Sequence, residues 1–217
     1  MLLEEFCKRV EETEEFTINR EVLGEIENVE VYSDEEIQKL VDLLISSFWK
    51  LPKLQLQEEW IKTVVSQISK RSNGKEVFHL FCLSLQKVWR SVGIRRIEKF
   101  VMLLDAVAES VAEHYETPFD QFIRRGPDAK YDLTLMKRIV YSRKQFTEEE
   151  VCYLVQFLID HPDSYFRNFF ARDVLPLLEK QGISASVADL AYATGNKENT
   201  STTMREVLFA IYAAPRA

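Results

Sequence analysis

The 217-residue chain is expected to be all-α: an irregular α-solenoid of HEAT-like helical hairpins, with a compact helical bundle as the alternative. Three observations predict this. Apolar residues recur every three to four positions nearly throughout, which places them on one face of a helix. Glycine and proline number only six each, too few for the tight turns of a mostly β chain. Candidate hairpins over 34–71 and 76–115 start about 42 residues apart, the length of a HEAT-type repeat, although no residue identities repeat between them.

Residues 1–32 read as acidic helices packed on a main domain of residues 33–217, with Leu3, Phe6, Val10, Ile18, Val22 and Ile26 facing inward. Ser33-Asp34-Glu35-Glu36 is a capping box, in which the serine hydroxyl accepts from the N–H three residues on and Glu36 reaches back. It opens a helix over 34–50. Pro52 precedes a second helix over 55–71 and needs no N–H there. Helices over 76–91 and 95–115 form the next pair, broken at Gly93. Arg124 to Asp128 is expected as a loop and 131–142 as a short helix. Thr147 to Glu150 is a second capping box. Residues 164–181 are helical with a kink near Pro176, and Gly182 ends them. Helices over 185–194 and 202–213 complete the chain.

The composition narrows the function. Cys7, Cys82 and Cys152 are odd in number and far apart, as in a reduced intracellular protein without a disulfide framework. No apolar run approaches the ~20 residues that cross a bilayer, so no membrane role is expected. The net charge of −7 is unevenly spread: residues 1–36 hold 13 acids and three bases. Arg124, Arg125, Lys130, Lys137, Arg138, Arg143 and Lys144 cluster against only Asp128 and Asp132, a candidate contact for RNA phosphates or an acidic partner, or else a solvated face. Phosphate-loop and nucleophile-elbow motifs are missing. His79 and Cys82 lie three apart, but further ligands are lacking nearby for a four-ligand site. Neither catalytic residues, metal, cofactor nor small-molecule substrate is expected.

Two stretches resemble signatures of the nucleolar ribosomal RNA-processing protein 1 family. Trp49 leads at unbroken spacing to Lys53, Leu56, Gln57, Glu58 and Glu59. Forty residues on, Trp89 leads to Arg96, Ile97, Glu98, Lys99, Phe100, Met102 and Leu103, with Ser91 to Ile94 where the family has Gly-Ile-Asp-Arg. The similarity covers about residues 37–111 and describes a short, diverged member. It implies a nucleolar, non-catalytic scaffold of large-subunit ribosome assembly. Such a scaffold would bind pre-ribosomal particle proteins, precursor ribosomal RNA, or both. A general helical adaptor unconnected with ribosomes is the alternative. If the hairpins stack, Glu58 or Glu59 is expected to pair with Arg96 or Lys99 across the repeat interface, and Trp49 and Trp89 to pack beside the loops.

Overall fold

The computed structural model describes residues 1–14, 17–89, 91–93, 96–114, 129–143 and 145–216, and for 114, 129, 130 and 132 the backbone alone. The fold is all-α. Among the described residues the only β pairing is two isolated bridges, Leu2 with Glu30 and Ile183 with Arg216. The chain forms two compact units, Met1–Ile139 and Val140–Ala217.

Unit 1 opens with α1 (Leu3–Glu11), α2 (Arg20–Gly24) and a 3-10 turn (Ile26–Asn28). Two hairpins come next, α3 (Asp34–Lys50) with α4 (Leu54–Ser69), and α5 (Gly74–Trp89) with α6 (Ile97–His114). The capping box at Ser33 forms as expected: Glu36 N donates to Ser33 Oγ at 3.3 Å, and Ser33 N donates to Glu36 Oε2 at 3.2 Å. α3 packs on α5 and α4 on α6. First helices therefore stack on first helices and second on second, the layering of a helical-repeat array. Ile37, Leu40, Val41, Leu44 and Phe48 supply the buried face of α3, and Trp60, Ile61, Val64 and Ile68 that of α4. Tyr131, in the first turn of α7 (Ala129–Ser142), donates through its hydroxyl to Cys82 O at 2.6 Å.

The N-terminal helices over 1–32 lie against the first hairpin. They belong to unit 1, with α1 on α3 and α2 on α4. The division between the units falls inside α7, between Ile139 and Val140. One side chain ties much of the N-terminal segment down. Arg71, just beyond α4, donates to Ile26 O, to Val29 O at 2.8 Å and to Asn73 Oδ1 at 2.9 Å. Its burial among these oxygens holds its pKa below the ordinary arginine value. Arg71→Ala strands the Val29 carbonyl and takes the side-chain donor from that of Ile26, which keeps only Val29 N. It is expected to destabilise unit 1 by about 2–3 kcal/mol and to speed protease cleavage within 17–32, read by limited digestion and mass spectrometry.

Unit 2 holds α8 (Glu148–Asp160), α9 (Ser164–Phe169), α10 (Leu175–Gln181), α11 (Ala185–Gly195) and α12 (Thr202–Ala213). Thr147 and Glu150 form the second capping box, at 2.9 and 3.2 Å. Glu150 is also buried against Arg143, with Nη2 and Oε1 3.2 Å apart. A π-helical turn, Phe170–Val174, joins α9 to α10. The break foreseen near Pro176 takes this form because proline lacks the N–H for the carbonyl four residues back and its ring crowds that carbonyl. Widening the preceding turn accommodates both. Gly182 stops the helix at φ 84°, a left-handed value that side chains other than glycine rarely take.

Candidate functional site

Of the motif residues, Trp49, Gln57, Arg96, Lys99 and Phe100 converge on the turn between α3 and α4. A helix end leaves its last carbonyls without intrahelical partners. Here those of Trp49 and Leu51 accept from Lys99 Nζ at 3.1 and 2.7 Å. Leu51 O also accepts from the buried side chain of Gln57, Nε2 at 3.0 Å. Lys99 sits in the first turn of α6 and is only 9 % exposed. Its ammonium lies 4.8 Å from the centre of the Phe48 ring. Phe100, beside it in sequence, meets Phe48 and Trp49 edge-on at 5.6 and 5.1 Å. The Arg96 guanidinium stands 5.1 Å from the Trp49 ring.

These contacts make one inter-hairpin clasp. The first motif supplies a ring, two carbonyls and an amide. The second supplies the ammonium and ring that engage them. Burial, reinforced by the neighbouring charge of Arg96, pushes the Lys99 pKa down to about 8. Cation–π contact and helix-end carbonyls still favour the ammonium. Trp60 backs the clasp from α4: its ring lies 4.8 Å from Phe48 and its Nε1 donates to Ser47 Oγ at 3.1 Å.

The charge pairing expected across this interface does not form. Among the described residues no ion pair within 4.0 Å joins Glu58 or Glu59 to Arg96 or Lys99. Glu59 is taken by Arg20 of α2, which donates through Nε and, at 2.9 Å, through Nη2. That contact holds the Glu59 pKa below the usual carboxylate range. Lys53 and Glu58 are exposed. Trp89 ends α5 as Trp49 ends α3, and its ring packs edge-on against Tyr131 at 5.2 Å.

The basic stretch is less open than its composition suggests. Arg138 Nε lies 2.7 Å from Asp105 Oδ1 of α6, and Arg143 is engaged with Glu150. Asp105 nevertheless has a raised pKa, because its burial outweighs the arginine. Lys137 is half-buried. Arg124, Arg125 and Lys144, and the side chain of Lys130, lie outside the described residues.

One feature of unit 1 has no motif behind it. A cavity of about 300 Å³ lies between the N-terminal segment and the first hairpin. Val10, Ile18, Val22, Leu43 and Trp60 give it apolar walls; Glu11, Glu14 and Lys50 are its charged lining residues. Among the described residues no three His, Cys, Asp or Glu side chains stand close enough to share a metal ion. No described helix is long and apolar enough to cross a membrane. No protein-family model matches the chain, and no curated protein does either.

Proposed function

We propose that this chain is a non-catalytic helical scaffold of ribosomal RNA processing and large-subunit biogenesis, working in the nucleolus within a pre-ribosomal particle. One observation carries the reading: the two stretches that resemble the nucleolar family meet at one clasp. Residues 47 to 51 apart in sequence are drawn together there as parts of a single structural device, with Lys99 reaching the carbonyls of Trp49 and Leu51. Similarity spread over unrelated surface positions would lack this physical coherence. A clasp of carbonyls, rings and one buried ammonium fixes the pitch between hairpins. It leaves the outer helical faces free to differ with the partner.

The test is affinity purification of the tagged chain, with sequencing of the RNA and identification of the proteins retained. Precursor RNA of the large subunit together with its assembly proteins is the expected result. Recovery of one stable partner without ribosomal precursors would replace this reading with that of a general helical adaptor.

A further inference from the structure

The geometry points to the cavity of unit 1 as a docking site for a lysine- and arginine-rich segment of a partner protein that inserts one apolar side chain. The inference rests on the scaffold reading but not on its ribosomal assignment.

Charge selects the class of partner. Of the 13 acids in residues 1–36, Glu4, Glu5, Glu11, Glu12, Glu14, Glu21, Glu27, Glu30, Asp34 and Glu35 are exposed. The three bases of that stretch are each engaged by an acid. Lys8 faces Glu12 at 3.8 Å, Arg9 meets Glu25 at 2.8 Å, and Arg20 clamps Glu59. Acids therefore outnumber bases on the exposed surface of this stretch. An excess of acid repels nucleic acid and draws a cationic chain, and at the cavity itself Glu11 and Glu14 outnumber Lys50.

Shape selects the anchor. About 300 Å³ is at the lower limit of ligand pockets, which run about 300–1,000 Å³. That volume suits one or two side chains of a segment lying across the surface rather than a whole helix. The lining is mixed: its apolar part rewards a leucine or phenylalanine, Thr13, Thr17, Asn19, Ser46 and Ser47 add neutral polar groups, and Glu11 and Glu14 reward basic neighbours on the incoming chain. Lys50 also lines the cavity, so the register in which the basic residues fall on the two glutamates is the favoured one.

The experiment uses the full chain and a fluorescein-labelled 12-residue peptide of lysines, arginines and glycines with one central leucine. Its analogue carries serine at that position. By fluorescence anisotropy the leucine peptide is expected to bind about 10-fold or more tighter than the serine peptide, since it alone buries an apolar side chain. Its affinity is expected to fall as salt rises. Glu11→Lys with Glu14→Lys is expected to weaken both peptides about 10-fold or more. Ser46→Trp, placed at the cavity mouth, is expected to erase the leucine preference while leaving salt-sensitive binding. Equal binding of the two peptides, a leucine preference that survives Ser46→Trp, tighter binding of a single-stranded RNA of the same length, or no binding of either peptide would each overturn the proposal. Circular dichroism of each variant confirms that it is folded. Because the readout is a peptide, it can fail while the chain still enters ribosomal precursors, and the reverse.

Discussion

Trp60→Ala is expected to lower the unfolding free energy of unit 1 by about 3–5 kcal/mol. The indole is 1 % exposed, packs on Phe48 with ring centres 4.8 Å apart, and faces the cavity with its remaining edge. Alanine loses that burial and leaves a void continuous with a space already present, which neighbouring helices cannot close without disturbing the clasp. Trp60→Phe keeps most of the apolar contact and loses the Nε1 bond to Ser47, so its cost is about 1–2 kcal/mol. Urea denaturation checks the order. Trp49, Trp60 and Trp89 all lie in unit 1, so intrinsic fluorescence reports on that unit, while far-UV circular dichroism reports on both. A loss seen by dichroism but not by fluorescence would contradict the assignment of Trp60 to this core.

The second large effect is at Lys99. Lys99→Ala removes the donor to Trp49 O and Leu51 O, the ammonium over the Phe48 ring and a buried stem, and is expected to cost about 2–4 kcal/mol. Lys99→Met keeps the stem and drops the charge. It is expected to recover roughly half of that loss, the remainder being chiefly the stranded Trp49 carbonyl, since Leu51 O keeps the Gln57 amide. The pH dependence has a definite sign. The folded pKa is about 8 against an ordinary 10.5, so between these values the unfolded chain binds more protons. Below about pH 8 the ammonium is charged in both states and the burial penalty is fully present. As pH rises toward 10.5 the penalty is relieved, so the wild type gains stability relative to Lys99→Met in that window. Parallel melts of the two proteins at about pH 7, 8, 9 and 10 measure the difference. A gap that stays constant, or that moves the other way, would show that burial does not govern this lysine.

The local parts of the fold were legible because their signals are local. Ser33 with Glu36 and Thr147 with Glu150 satisfy free N–H groups within four residues, and both boxes form as read. The helix expected over 202–213 spans Thr202–Ala213, and the one expected over 185–194 ends one residue later, at Gly195. Periodicity also gave the apolar faces, but it does not say which faces meet, so the division inside α7 had no counterpart in the sequence. The clasp was legible only in its membership. Pairing by opposite charge assigned Lys99 and Arg96 to Glu58 or Glu59. That reasoning left out two competitors: the helix-end carbonyls of α3, which every sequence carries and none displays, and Arg20, which comes from a short helix 39 residues before Glu59. The cavity was invisible for the same reason, since its walls come from four separate helices.

The π turn between α9 and α10 makes unit 2 unusually sensitive to chain length. Such a turn accommodates one surplus residue in an otherwise regular rod, so the parts on either side keep the facing they would have without it. Excising Ala171, which is exposed, would return the rod to ordinary winding with Val174 and Leu178 still turned inward, but it would set the Pro176 ring against the carbonyl four residues back. A one-residue shortening at this solvent-facing position therefore carries the cost of a proline inside a regular helix, whereas replacing the same alanine by serine costs almost nothing.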